Sequence, residues 1–305
     1  MFPFKRVLVA LDLTEMDETL IAYTAYLNTI FDIEKLYFVH VAKSLELPER
    51  LLEKYPKLRA PADETIEGII REKVDKQYKN NKKVEIKIEV REGNAEDRIM
   101  RLSDIKEVDL IVMGRKHNLK GSGMLPNRIA RIGHCSLLTV PEKTDIKINK
   151  IMVPVDFSKN SQFAVEQGKI IAEKTKAELV IQNTYAVPSG YHTIGKSYEE
   201  FAQIMKEHAQ EDAQKFIKDC GISEGKLSIL LSLDDDNEPS NKIHAEAIKH
   251  KADLIIIASR GRTGLANILL GSVADKILQL KNQVPVLVVK NKKHNLGFLE
   301  ALLRL

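Results

Sequence analysis

One pattern constrains this chain more than any other: most of it is written twice. The run Val7-Leu8-Val9-Ala10-Leu11-Asp12-Leu13-Thr14 returns as Ile151-Met152-Val153-Pro154-Val155-Asp156-Phe157-Ser158, with the two aspartates 144 residues apart. Asp109-Leu110-Ile111-Val112-Met113-Gly114 returns as Asp253-Leu254-Ile255-Ile256-Ile257-Ala258 at the same spacing of 144. Two separate matches at one period mark a tandem repeat. A third pair, Ser136-Leu137-Leu138-Thr139-Val140 and Pro285-Val286-Leu287-Val288-Val289, is spaced by 149. The first copy has therefore lost a net five residues between Gly114 and Ser136.

Each copy alternates apolar runs with helical periodicity. Strands are expected near 5–11, 35–41, 84–90, 108–113 and 136–140, and again near 150–155, 178–184, 226–233, 252–257 and 285–289. Continuous runs such as Leu254-Ile255-Ile256-Ile257 suit strands buried on both faces. Helical segments lie between them, one from about Ser158 to Thr175 with Ser158 as its N-cap. Strands alternating with helices imply parallel sheets joined by right-handed crossovers. The expected fold class is α/β: two tandem Rossmann-like repeats, each a five-stranded parallel sheet flanked by helices. The repeats are placed at residues 1–142 and 148–290, joined by a short polar stretch from Pro141 to Asn149. Residues 291–305 carry Leu296, Phe298, Leu299, Leu302, Leu303 and Leu305, spaced as the apolar face of a tail helix. The two last strands, 136–140 and 285–289, each need a neighbour. An antiparallel pairing between them would make the chain an internal pseudo-dimer, and a homodimer of chains is a further option.

Composition narrows the function. Lys and Arg total 47 against 43 Asp and Glu, and the +4 net charge is dispersed, without the basic stripe and stacking aromatics of a nucleic-acid binder. Two cysteines, Cys135 and Cys220, do not make a disulfide framework. Metal signatures of the CxxC or HExxH type are absent from the sequence. The apolar run at the N-terminus is broken by Asp12, and no stretch nears the roughly 20 apolar residues that span a bilayer. A cytoplasmic protein without membrane or nucleic-acid partners is expected.

The segment Ala258-Ser259-Arg260-Gly261 and its continuation to Gly271-Ser272-Val273-Ala274 carries the chemistry. It follows a buried strand and leads into a helical pattern from Val273 to about Leu280. Ligands in open parallel sheets bind beyond the carboxyl ends of the strands. Gly261 would permit a tight turn and Gly271 a close approach of backbone to phosphate. Ser272 offers a hydroxyl and an N–H at a helix N-terminus, which attracts anions. Arg260 and Arg262 add positive charge.

This segment resembles the universal stress protein family, whose motif is Gly-x2-Gly-x9-Gly followed by Ser or Thr. Gly261, nine intervening residues, Gly271 and Ser272 fit it, and Ala258 replaces the first glycine. The resemblance covers both copies to about residue 290. It implies a site for ATP or a related adenine nucleotide, with or without magnesium, in the second repeat. Asp156 with Pro154 and Val155 would hold the nucleoside. Thr184 would stand beside adenine, where the family commonly has valine. Ala258, Arg260 and Gly261 would form the loop after the fourth strand, and Gly271, Ser272 and Val273 the triphosphate cradle.

The first copy departs from this motif. Gly114 is kept, but His117 stands where the second glycine belongs, and Gly121-Ser122-Gly123 comes too early for nine intervening residues. Asp12 and Val41 remain. Together, Asp12, Val41, Gly114, His117, Gly121, Ser122 and Gly123 would make at most a residual nucleoside or anion site.

Three functions are open on this sequence. The first is an ATP-binding stress-response or regulatory module. The second is a weak ATPase or nucleotidyl transferase, but no P-loop, catalytic base or charge clamp is evident and no residue is assigned a catalytic role. The third is an interaction protein with vestigial sites. The acidic run Asp234-Asp235-Asp236 is read as a solvated turn before a helix near Asn241, with magnesium binding as the lesser alternative.

Overall fold

The computed structural model describes residues 3–46, 62–78, 84–116, 124–221, 227–261, 270–281 and 283–291. The expected tail helix, and His117, Gly121, Ser122, Gly123, Arg262 and Gly264, lie outside them. The chain divides into two compact units. One holds Pro3–Ile129 and Cys135–Ile146; the other runs from Lys147 and includes Ala130–His134.

The first unit carries β1 (Arg6–Leu11), α1 (Met16–Ile30), β2 (Lys35–Ala42), α2 (Ala62–Tyr78), β3 (Glu85–Glu92), α3 (Ala95–Ile105), β4 (Leu110–Arg115), most of α4 (Leu125–Ile132) and β5 (Ser136–Pro141). Its strands run in the order β3-β2-β1-β4-β5, all parallel. Val7, Leu8 and Val9 are fully buried, as a central strand covered on both faces requires.

The second unit repeats the scheme with β6 (Lys150–Pro154), α5 (Lys159–Thr175), β7 (Glu178–Tyr185), α6 (Tyr198–Asp219), β8 (Leu227–Leu233), α7 (Pro239–Lys249), β9 (Leu254–Ala258), α8 (Ser272–Gln279) and β10 (Val286–Val289). A short 3-10 turn at Ser189–Ile194 precedes α6. The strand order β10-β9-β6-β7-β8 is the same topology, again parallel. Ser158 caps α5 as expected, its side chain accepting from the Ser161 N–H. Ile148, inside the stretch read as a linker, is 1% exposed and already belongs to a core.

The repeated aspartates before β4 and β9 have a structural task. Asp109 Oδ2 accepts the N–H groups of Lys5 and Arg6, each at 3.0 Å. Asp253 Oδ2 accepts those of Asn149 and Lys150 at 2.7 and 3.0 Å. Each carboxylate ties the start of one central strand to the loop before its neighbour. In both units the sheet grows in opposite directions from the junction of first and fourth strands. That switch point places a crevice at the strands' carboxyl ends.

Candidate functional site

In the second repeat the crevice is a cavity of about 890 Å³. This volume lies within the range of small-molecule sites. Pro154, Val155 and Asp156 enter it from the end of β6, and Thr184 from β7. Ala258, Arg260 and Gly261 enter from the end of β9, and Gly271, Ser272 and Val273 from the start of α8. The fold thus brings all ten sequence-selected residues of the second repeat around one space.

The opening has a local cause. β6 and β9 pair only through Ile151–Leu254 and Met152–Ile255. Pro154 has no N–H to give a ladder beyond that point, and the chain proceeds into a turn with Phe157 at φ 62°. A bulky residue at positive φ is a strained choice. It is held by Asp156, whose Oδ1 accepts from the Ser158 N–H at 3.1 Å and the Ser161 hydroxyl at 2.5 Å. Asn183 donates to the Val155 carbonyl at 2.8 Å and braces the same turn from β7.

The two glycines differ in purpose. Gly261 does not adopt a left-handed conformation; a Cβ there would stand 2.5 Å from Asp156 Oδ2. The absence of a Cβ lets that carboxylate come close, while the residues after Gly261 that would make the expected turn lie outside the described ones. Among the described residues, a Cβ on Gly271 would meet nothing nearer than the Ser259 carbonyl at 3.4 Å, an ordinary contact. Among the described residues, packing therefore does not exclude a Cβ at 271. Gly271 is the N-cap of α8 and brings no capping side chain, and its own N–H is bonded to the Ser259 carbonyl. The helix starts at Ser272, one residue before the expected Val273, and Ser272 is exposed. Its first-turn N–H groups, left without a side-chain cap, are suited to an anion. Ala258 ends a regular strand and pairs with Val289, so its methyl group meets no unusual backbone there.

With this geometry in place, comparison with known proteins is informative. The sequence model of the universal stress protein family matches residues 3–141 and again 147–290. The chain belongs to the universal stress protein family. Universal stress protein MJ0531 of Methanocaldococcus jannaschii is 36% identical over 146 residues, which is 47% of this chain and 83% of the relative. Universal stress protein MJ0577 of the same organism is 31% identical over 167 residues, 48% of this chain and 98% of the relative. The crystal structure of a universal stress protein from Archaeoglobus fulgidus covers 95% of this chain and 97% of its own, with a TM-score of 0.62 and 18% identity, and so shares the fold of the whole tandem.

As a universal stress protein repeat, the first copy keeps the frame and alters the site. Leu13 repeats the positive φ of Phe157 at 62°. Asp12 Oδ1 accepts from the Thr14 hydroxyl at 2.6 Å. His40 Nδ1 lies 3.0 Å from the Leu11 carbonyl, standing in for Asn183. The differences are in charge and bulk. Lys116, largely buried, forms an ion pair with Asp12 Oδ2. Asp17 replaces Ser161, is fully buried, accepts from the Asp12 N–H at 3.0 Å and pairs with Lys73 at 3.5 Å. Burial pushes its carboxyl above the ordinary range, against the opposing pull of the Asp12 N–H and Lys73. Met16 packs so near Gly114 that a Cβ there would stand 2.6 Å from Met16 Cγ.

Sequence reasoning missed Ser161, Asn183 and Gln182, which also line the second-repeat cavity. The available signal was a polar pair, Gln182-Asn183, directly after the apolar run Leu179-Val180-Ile181. The acidic run needs correction. Asp234 is not solvated: it is 6% exposed and accepts from the Glu238 N–H at 3.1 Å. Asp235 and Asp236 are exposed, and Asp235 accepts from the Tyr198 hydroxyl at 2.5 Å, a bond that helps push that phenol up to about 12.

Proposed function

We propose that this universal stress protein binds ATP in its second repeat and acts as a nucleotide-dependent regulatory module. The observation that carries the reading is Gly271. Among the described residues, a Cβ at this position would meet nothing nearer than 3.4 Å. Its absence leaves the uncapped start of α8 facing the cavity, alongside Gly261 and Arg260. A bare helix N-terminus beside a cation favours phosphate. Asp156, on the neighbouring strand end, suits the hydroxyl groups of a ribose. The family resemblance of Gly261, Gly271 and Ser272 supports the same ligand. We favour regulation over catalysis because, among the described residues of the cavity, none is assigned as a catalytic base.

Calorimetry on nucleotide-free protein tests this reading. ATP should bind at least about tenfold more tightly than adenosine, a gain of about 1.4 kcal/mol from the cradle. Equal affinities would refute the cradle, and no binding of either would refute the nucleotide site.

A further inference from the structure

We propose that Gln182 reads the base of the nucleotide, selecting adenine over hypoxanthine through a hydrogen bond from the exocyclic amine to its Oε1. This rests on the nucleotide-binding reading above and specifies which edge of the ligand the protein recognises.

The sheet order sets the layout. The cradle belongs to β9 and α8, Asp156 to the end of β6, and the next strand outward is β7. Adjacent strands are about 4.8 Å apart. A ligand with its phosphates at the cradle and its ribose at Asp156 therefore carries its base to β7. Gln182 and Thr184 line the cavity there, with Pro239 and Ile243 of α7.

Gln182 is fully buried. Its Nε2 donates to Thr184 Oγ1 at 2.8 Å, whereas its Oε1 has no hydrogen-bond partner among the described residues. Ser232, the register partner of Thr184 on β8, is 4% exposed and its hydroxyl is likewise unpartnered. A buried polar atom without a partner costs stability and calls for an explanation.

The first repeat shows that the fold does not need these polar groups. Strand registers place Lys35 opposite Arg6 and Glu178 opposite Lys150, so Val39 and Val41 occupy the positions of Gln182 and Thr184. Two valines serve in the copy with the altered site. Glutamine and threonine appear in the copy that keeps Gly261, Gly271 and Ser272.

The chemistry selects the base. The Thr184 hydroxyl, by accepting from Nε2, turns Oε1 into an acceptor in need of a donor. Adenine supplies one in its exocyclic amine, and a glutamine amide is matched to adenine's edge. Hypoxanthine presents a carbonyl oxygen at that place, setting two acceptors against each other. A site built around such a bond discriminates strongly against the analogue that cannot make it.

The test compares ATP, inosine triphosphate and adenosine on the full, nucleotide-free chain by calorimetry. Wild type should bind ATP at least about tenfold more tightly than inosine triphosphate. Gln182→Met, similar in volume without the amide, should bring that ratio within about twofold, leaving the ATP-to-adenosine ratio, which reports the cradle, unchanged. If Gln182→Met does not fold, Thr184→Val, which places there the valine of the first repeat, should lower the ATP-to-inosine-triphosphate ratio at least about threefold. Absence of discrimination in wild type, a preference for inosine triphosphate, or a ratio that survives the substitution would each overturn the proposal while leaving ATP binding standing. No binding of any of the three ligands to wild type would overturn both.

Discussion

The two repeats share a frame and differ where the frame opens. In the first, β1 and β4 stay paired from Val7–Leu110 to Ala10–Met113. In the second, the corresponding strands part after Met152–Ile255, just before Pro154. Beyond that point, among the described residues of the first repeat, Lys116 meets Asp12, Asp17 is buried beneath the turn, and Met16 packs on Gly114. The second keeps the charged pair of positions as Asp156 and Arg260 but has Ser161 for Asp17 and Asn160 for Met16. The two copies thus differ in a few side chains at the strand ends, while the aspartates that tie the sheet together stay the same.

That contrast can be broken by substitution. The largest effect is expected from Gly271→Val, which puts a branched side chain where phosphate would approach the backbone. ATP affinity should fall at least about tenfold in calorimetry. The circular dichroism spectrum and Tm should stay close to wild type, since a Cβ at 271 meets no described atom nearer than 3.4 Å. Unchanged binding by a folded variant would remove Gly271 from the cradle.

Asp156→Ala should come next, weakening ATP and adenosine alike by about fivefold, or about 1 kcal/mol. Asp12→Ala, its counterpart, should leave ATP binding as it was. Equal losses from both variants would mean that the repeats are functionally alike. Ser272→Ala should be milder, about twofold, because the backbone N–H groups of α8 persist. A loss as large as that of Gly271→Val would make the hydroxyl the main phosphate contact.

The smallest effect concerns stability. Burial raises the Asp17 carboxyl above its unfolded value. A raised carboxyl stabilises fully below the unfolded range, and that contribution is lost as pH rises through the folded value. At neutral pH the buried carboxylate is therefore a burden. Asp17→Asn, which keeps an acceptor for the Asp12 N–H, should raise Tm by about 2 °C at pH 7, with the gain fading towards about pH 4. A difference that stays constant with pH would show that the titration of Asp17 is not its source.

The fold was legible because it rests on local pattern. Buried strands read as apolar runs, Ser158 reads as a cap, and the repeat period supplies the order twice. Part of the site was legible for the same reason, since Gly261 and Gly271 sit in one continuous motif. The remainder depends on partners distant in sequence. Nothing near Gly261 in the chain reveals that the Asp156 carboxylate presses against it. Nothing near Lys116 announces its pairing with Asp12. Asp234 looked solvated because its neighbours are acidic, but the turn into α7 draws it inward to cap Glu238. Gln182 was overlooked because a glutamine within a strand signals nothing until its burial is known.

The central claim is asymmetry: one universal stress protein repeat in this chain holds ATP and the other closes its own crevice. Equilibrium dialysis of nucleotide-free full-length protein against ATP measures it directly. The account predicts saturation at about one ATP per chain, abolished or strongly weakened by Gly271→Val. Saturation near two per chain with similar affinities would contradict it.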